Sequence, residues 1–451
     1  MKVLVVGSGG REHAVCWALS KSNNVSKIYA APGNGGISDI AQCMPIDPMN
    51  FEELIAFAKN VGIDITICPM EVPLAAGIVD AFQDAGLLIF GPNKAAAQIE
   101  GSKLFAKNFM KKYNIPTASY ETFEDYESAM MHVMNTEFPL VIKADGLAAG
   151  KGVLICANVE SAERALDDIL NKRSFGAAGK SVVIEEYLHG VECSMLCFCD
   201  GENILPMTSA KDHKAAFDRD YGPNTGGMGV ISPNPNYTRE VSLRAMDEIF
   251  KPTMEGFKQE GIEFVGVLFV GLMLTEEGPK VIEYNCRLGD PETQAVLMRL
   301  DTDFLDCMLA CVHKKLDNFK LRWKNTAVCC VVAASKGYPG EPKTGFEIYG
   351  LRDFGRDVKV FHASTKKENN TFFTSGGRVL NVVGSGKDLD EAREVAYKAM
   401  NSIDFMGMHF RKDIGDLTDI DTFAQHLLTL INKKRLSDAV NRNKAQKLDE
   451  E

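Results

Sequence analysis

Strand and helix patterns alternate along the first hundred residues, and that alternation limits the fold more than any other feature. Lys2–Val6 reads as a strand, and Gly7-Ser8-Gly9-Gly10-Arg11-Glu12-His13 leads from it into a helix reaching about Ser20. Lys27–Ala30 is a second strand, followed by the loop Ala31-Pro32-Gly33-Asn34-Gly35-Gly36. Helix Phe51–Asn60, strand Ile63–Cys68, helix Leu74–Ala85 and strand Leu87–Phe90 complete the unit. Strands separated by helices pair in parallel through crossovers, so the N-terminal domain is predicted to be α/β with a parallel sheet.

The remaining chain changes character. Phe138–Ala144 and Val153–Cys156 read as strands around a Gly-rich turn, followed by helix Ser161–Leu170 and strand Ser181–Tyr187, a small α+β unit. From about 191 to 325 a mixed region holds a Cys-rich strand, a long loop at 210–236, helix Arg239–Glu260, the hairpin Gly266–Thr275/Lys280–Asn285 and helix Thr293–Lys314. A final domain opens with strand Val328–Ala334 and ends in a helix near Asn432, before a charged, frayed tail from Lys433 to Glu451. At 451 residues the chain is too long for one core. The predicted units are 1–101, 102–190, 191–325, 326–432 and the tail 433–451.

A net charge of −11 argues against general nucleic-acid binding, while leaving room for local basic pockets that take phosphate. No signal peptide and no membrane span are predicted, and a cytoplasmic location is expected. Twelve cysteines sit mostly in apolar runs, which suits reduced thiols. Cys193, Cys197 and Cys199 fall on one strand face; they read as buried structural thiols rather than a metal site, because no partner pair has zinc spacing.

The segment Val281-Ile282-Glu283-Tyr284-Asn285-Cys286-Arg287-Leu288-Gly289-Asp290-Pro291-Glu292 carries the strongest chemical signal. Side chains alternate across a strand, so Glu283, Asn285 and Arg287 share one face, and Ile282, Tyr284, Cys286 and Leu288 share a core face. A carboxylate, an amide oxygen and a guanidinium on one face suit Mg²⁺ and phosphate. The competing reading is a solvated face with an incidental ion pair. Gly7–Glu12 begins like a dinucleotide fingerprint, but Glu12 stands where a small residue is needed. The loop reads as a sugar-phosphate site at a helix N-terminus, or else as a tight turn with an exposed Arg11. Asp145-Gly146-Leu147-Ala148-Ala149-Gly150-Lys151-Gly152 resembles a P-loop but joins two strands, so it reads as a flap laying backbone amides and Lys151 on a polyphosphate. Lys143, inside the apolar run just before it, needs an anionic partner unless it snorkels to the surface.

In order along the chain, these motifs resemble an ATP-grasp ligase: Lys143 with its flap, Val182–Leu188, Gly190–Ser194, then Glu283-x-Asn285-x-Arg287. Within that superfamily the chain resembles the phosphoribosylamine–glycine ligase family. The likeness runs nearly end to end, through Gly9–His13, Ala31–Asn34, Gly91-Pro92, Glu100–Lys103, Ile142–Gly152, Asp212–Lys214, Gly222–Gly229, Glu283–Gln294 and Gly376–Leu380. It implies a Rossmann-like N-terminal (pre-ATP-grasp) domain, a two-lobed ATP-grasp domain and a small C-terminal α+β domain.

The resemblance further implies that ATP, glycine and 5-phosphoribosylamine give ADP, phosphate and glycinamide ribonucleotide through glycyl phosphate, in purine synthesis. Glu283 and Asn285 would hold Mg²⁺ (or Mn²⁺). Lys103 and Lys143 would lie on the α- and β-phosphates, and the flap with Gly150, Lys151 and Gly152 would close on the γ-phosphate. Glu185, Glu186, Tyr187 and Leu188 would read the adenine edge, with Glu192 on the ribose. Arg287 and Lys143 are the candidate catalytic groups. Gly9, Gly10, Arg11, Glu12, Gly33, Asn34 and Glu71 would form the acceptor pocket. Asp212 would take the glycine ammonium, beside Thr225, Gly226 and Gly227.

Weak association with other purine-pathway enzymes is compatible with this reading. So, as alternatives, are another ATP-grasp carboxylate–amine ligase and a non-catalytic nucleotide-binding relative. Three segments depart from the family pattern: Pro69–Leu74, Lys211–Ala215, and His362-Ala363-Ser364-Thr365. If the usual glycine at position 364 held a positive φ, the loop carrying Ser364 would have to be rebuilt.

Overall fold

The computed structural model describes residues 1–147 and 152–416. Its N-terminal part is a five-stranded parallel sheet in the order Gln42–Cys43, Lys27–Pro32, Lys2–Gly7, Ile65–Ile67, Ile89–Phe90. The central strand shows why the sheet is buried on both faces. Val3 and Val5 enter one hydrophobic cluster, and Leu4 and Val6 enter the other. The chain leaves Lys2–Gly7 to one side for Lys27–Pro32, and Ile65–Ile67 lies on the other side. The loop after Gly7 therefore opens at the switch point of the sheet, where α/β folds bind ligands.

Two expectations here needed correction. The two-residue strand Gln42–Cys43 leaves no mark in the sequence, because it is too short to show a period and neither residue is fully buried. The helix expected at 74–85 starts earlier and is broken: Glu71–Ala76 ends at Gly77, whose φ of 99° lies in the left-handed region, and Ile78–Asp84 follows.

The next unit is a four-stranded antiparallel sheet ordered Tyr120–Phe123, Val182–Glu186, Leu140–Ala144, Val153–Cys156. The last two pair antiparallel on either side of the Gly-rich segment, of which residues 148–151 lie outside the described residues. Helices Tyr126–Met134 and Val159–Leu166 are capped by Asp125 and Asn158, whose side chains accept from Ser128 N and Ser161 N.

A second antiparallel sheet runs Ile204–Pro206, Val191–Asp200, Val265–Thr275, Gly278–Asn285. A third runs Lys211–Asp212, Gly229–Ser232, Ala327–Ala334, Arg378–Gly386, Val358–His362. This third sheet joins strands from either side of the expected 325/326 boundary. The supposed loop at 210–236 thus contains strands at 211–212, 215–217, 221–224 and 229–232. The helix expected at 293–314 is two, Glu292–Arg299 and Phe304–Val312. Leu300 leaves helical geometry at ψ 127°, and Asp303 caps the second helix at Leu305 N. The 239–260 segment stays helical, with a π-type turn at Met246–Phe250.

Met1–Ile414 form one unit by their contacts. Among the described residues no helix is long and apolar enough to cross a membrane. The expected end of the last helix near Asn432 and the tail lie outside the described residues.

Candidate active site

The hairpin strand Gly278–Asn285 carries a β-bulge that decides what faces the site. Leu272 pairs with Val281 and Gly271 pairs with Glu283, leaving Ile282 as the extra residue. Val281, Tyr284, Cys286 and Leu288 are buried in the core, whereas Ile282 lines the cavity beside Glu283 and Asn285. The strict alternation that assigned Ile282 to the core breaks at the bulge, which turns Ile282 and Glu283 toward the same space and leaves Val281 in the core.

That space is a cavity of about 510 Å³. It gathers Arg11, Glu71, Lys103, Lys143, Gly152, Glu185, Glu186, Tyr187, Leu188, Glu192, Asp212, Thr225, Gly226, Glu283, Asn285 and Arg287. Gly9, Gly10, Glu12, Gly33, Asn34 and Gly227 do not line it. Gly150 and Lys151 lie outside the described residues.

Lys143 has the anionic partner its setting demanded. Its Nζ lies 2.9 Å from Glu185 Oε2 and donates to Ile282 O at 3.0 Å, with 4% of the side chain exposed, which rules out snorkelling. Lys107 approaches the same carboxylate oxygen at 3.2 Å. Burial lowers the Lys107 ammonium to about 8, against the pull of Glu185. Lys107 was missed, although it lies four residues from Lys103 on one helix, a spacing that puts both on one face.

Glu283 is the other charge centre. Burial acts to raise its carboxyl, but Lys214, Lys103, Lys143 and Arg287 outweigh it and hold the group down at about 2. Lys214 Nζ lies 3.7 Å from Glu283 Oε1 and 3.9 Å from Glu192 Oε2. The Asp212-His213-Lys214 motif contained Lys214, but its reach toward both acids was not readable from the chain. Among the described residues no three His, Cys, Asp or Glu side chains form a ready-made metal cluster. Glu283 and Asn285 are nevertheless hard oxygen donors of the kind Mg²⁺ accepts, with water and phosphate completing the shell.

Arg287 is held from two sides. Its Nε donates to Glu71 Oε2 at 3.1 Å and its Nη2 to Glu100 Oε1 at 2.9 Å. Glu100 Oε2 in turn accepts from Cys286 N at 2.8 Å, so this unassigned carboxylate orients the strand end and the guanidinium together. Burial acts to raise the Glu71 carboxyl, but Arg287 and Arg11 bring it down to about 2.

The N-terminal loop departs from expectation. Gly9 N donates to Glu12 Oε2 at 2.6 Å, and Arg11 Nε donates to Glu12 Oε1 at 2.6 Å. The helix thus caps itself with Glu12 at the N–H that a phosphate was expected to use. Asn34 is similarly committed: its Nδ2 donates to Ser8 O at 2.7 Å and His362 O at 2.8 Å, and its Oδ1 accepts from Ile37 N at 2.9 Å. Gly33, at φ 75°, packs on Cys43. Arg11 and Glu71 remain as the cavity-facing members of that set. Burial, then the nearby Glu292, pushes the Asp212 carboxyl well above its usual range. Glu292 itself lines the cavity and accepts from Ser194 Oγ at 3.1 Å. Cys193, Cys197 and Cys199 lie in the sheet core, where burial raises their thiols. Ser364 is not among the positive-φ residues, so the altered 362–365 loop carries no strain there.

Profiles of the phosphoribosylglycinamide synthetase N domain, ATP-grasp (A) domain and C domain match residues 1–100, 101–293 and 328–417. The chain belongs to the phosphoribosylglycinamide synthetase family. Within the family it is 51% identical over 414 residues to phosphoribosylamine–glycine ligase of Caldanaerobacter subterraneus subsp. tengcongensis, covering 92% of this chain and 99% of that one. The enzyme of that name from Clostridium acetobutylicum is 51% identical over 415 residues, covering 92% and 99%. The crystal structure of phosphoribosylamine–glycine ligase from Thermotoga maritima superposes with a TM-score of 0.81 at 33% identity, covering 92% of this chain and all of that one. A biotin carboxylase domain from Hydrogenobacter thermophilus, at 18% identity and TM-score 0.70, shares the fold.

Proposed function

We propose that this member of the phosphoribosylglycinamide synthetase family joins glycine to 5-phosphoribosylamine, with cleavage of ATP to ADP and phosphate, giving glycinamide ribonucleotide. The observation that carries this reading is the convergence of Lys103, Lys143, Lys214 and Arg287 with Glu283 and Asn285 on one cavity. Phosphoryl transfer needs positioned cations far more than covalent help, and this set supplies them.

The adenine edge meets the backbone from Glu185 to Leu188, and Glu192 accepts from the ribose hydroxyls. Lys103 and Lys143 lie on the α- and β-phosphates, with Lys151 and the glycines around it closing on the γ-phosphate. Glu283 and Asn285 hold Mg²⁺ or Mn²⁺, which when bound neutralises phosphate charge. Asp212 takes the glycine ammonium, beside Thr225 and Gly226. A glycine carboxylate oxygen bonds to the γ-phosphorus as the bond to ADP breaks, giving glycyl phosphate. The phosphoribosylamine nitrogen then bonds to the acyl carbon, phosphate leaves, and the nitrogen loses a proton. Arg287 stabilises the oxyanion of that second step. Water must stay out while glycyl phosphate exists, which is the task of a closing flap. Arg11 and Glu71 face the acceptor; Gly9, Gly10, Glu12, Gly33, Gly227 and Asn34 shape the loops behind the substrates.

The test is ADP formation with Mg²⁺, glycine and freshly generated phosphoribosylamine. Turnover should need all three substrates, vanish in Glu283→Gln and fall about 10²-fold in Arg287→Ala, the usual scale for an oxyanion contact. ATP cleavage indifferent to glycine would refute the reading.

A further inference from the structure

Arg378 opens the strand Arg378–Gly386 in the C-terminal part of the chain, yet its guanidinium lines the same cavity. Its Nη1 donates to Gly226 O at 2.7 Å and to Asp290 O at 2.8 Å. Its Nη2 lies 3.4 Å from Asp290 Oδ1. Asp290 Oδ2 accepts the backbone N–H of Arg11 at 3.2 Å, and Asp290 Oδ1 accepts from Gln294 Nε2 at 2.9 Å. One side chain therefore ties the 225–227 loop, the 287–291 turn and the first turn of the N-terminal helix together.

Gly226 is held at its N–H as well, in the peptide unit before the one whose oxygen Arg378 takes. That N–H donates to the Tyr338 hydroxyl at 3.0 Å. Both partners come from the C-terminal part. The held peptide leads into Gly227, at φ 114°, where an added Cβ would lie 2.7 Å from Asp212 Oδ1 and 2.5 Å from Pro291 Cδ. Fixing the Gly226 peptide thus fixes the backbone against Asp212. Through Asp290 the same guanidinium fixes the helix turn that carries Arg11.

We propose that Arg378 is a positioning residue that holds the glycine pocket and the phosphoribosylamine pocket in register, and that Tyr338 completes its grip on the glycine side only. This rests on the ligase reading above. The reason for a shared strut is chemical. The acceptor nitrogen must meet an acyl carbon that arrives on the other substrate, and a misplacement of about 1 Å can cost roughly 10²-fold in rate. ATP, held by Lys103, Lys143 and the 185–188 backbone, does not depend on it.

The experiment is steady-state kinetics of the full chain, varying each substrate in turn, for wild type, Arg378→Lys, Arg378→Ala and Tyr338→Phe. In Arg378→Ala the KM values for glycine and for phosphoribosylamine should each rise about tenfold or more, the scale of a lost charged hydrogen bond. The KM for ATP should stay within about twofold. Arg378→Lys, which keeps a charge near Gly226 O, should recover part of the glycine effect. Tyr338→Phe should raise the KM for glycine alone. Equal KM rises for all three substrates, or an unchanged kcat together with unchanged KM values for glycine and phosphoribosylamine, overturn the inference while leaving the ligase reading intact; a fall in kcat is the loss of register itself. An inactive wild type overturns both. If the Arg378 variants do not fold, Tyr338→Phe still decides: an unchanged glycine KM, or an equal rise for the acceptor, rejects the proposal.

Discussion

Lys214 stands between two acids with different proposed duties, 3.7 Å from Glu283 Oε1 and 3.9 Å from Glu192 Oε2. It competes with any divalent cation for Glu283. Replacing Lys214 with Met should therefore lower kcat while reducing the Mg²⁺ concentration needed for half-maximal turnover by about fivefold, the Coulomb scale of ~1 kcal/mol for charges about 4 Å apart in a wet site. A metal titration of turnover in wild type and variant reads this directly, and a weaker Mg²⁺ requirement for the wild type would contradict it.

Glu185 neutralises two buried ammonium groups, Lys107 and Lys143. Its replacement by Ala leaves both without their carboxylate, and breaking a buried pair in this way costs about 3–5 kcal/mol. Thermal or urea unfolding should report a large loss. A melting temperature equal to that of wild type would show that the lysines find another partner.

Glu71 connects acid stability to the site. Its folded carboxyl lies at about 2, below the ordinary value of 4.5, because Arg287 and Arg11 overcome the burial that would raise it. A depressed carboxyl contributes stability fully above the unfolded value and loses it as the pH falls from about 4.5 toward 2. Glu71→Gln should flatten the wild-type loss of stability across that window, as followed by urea midpoints at successive pH values. Parallel curves for the two proteins would remove Glu71 from the account.

Three histidines act in the window above. His13 and His362 are lowered by burial to about 3 and about 4, and His213 likewise to about 4. His362 N donates to His13 Nδ1 at 2.9 Å, which requires an unprotonated nitrogen there. Below the ordinary value of 6.5 the unfolded chain takes up protons that these folded rings refuse, so stability falls as the pH drops from 6.5 toward 4. His13→Asn should make that slope shallower in a series of thermal melts, even if it lowers the melting temperature throughout.

Gly10 tests the packing of the N-terminal loop. An added Cβ would lie 2.3 Å from Asn381 Nδ2 and 2.7 Å from Gln294 Nε2, so Gly10→Ala must displace side chains from two other elements. A loss of about 1–3 kcal/mol is expected in chemical denaturation, as for other overpacked sites. An unchanged midpoint would mean that both amides move aside freely.

Local chemistry was legible in the chain wherever a short pattern determines its own surroundings. Period-two and helical repeats marked the strands Lys2–Gly7 and Val153–Cys156 and the helix Phe51–Val61 nearly to the residue. The face shared by Glu283 and Asn285 was readable for the same reason, as was the need of Lys143 for an anion. The chain alone could not place Ile282, because a bulge depends on how the neighbouring strand pairs. Nor could it show that Glu12 and Asn34 turn inward, that Lys214 reaches both acids, or that Arg378 reaches the cavity from more than 150 residues beyond Gly226. Those facts belong to contacts between segments remote in sequence, where hydrogen-bond geometry and burial are set only when the sheets come together. Sequence by itself determined the family, the chemical types at the site and the elements with a strong local period, but not the short strands at 42–43 and within 211–232. Tertiary structure decided which of those groups meet, because partners and charge compensation are properties of the packed interior rather than of any stretch of chain.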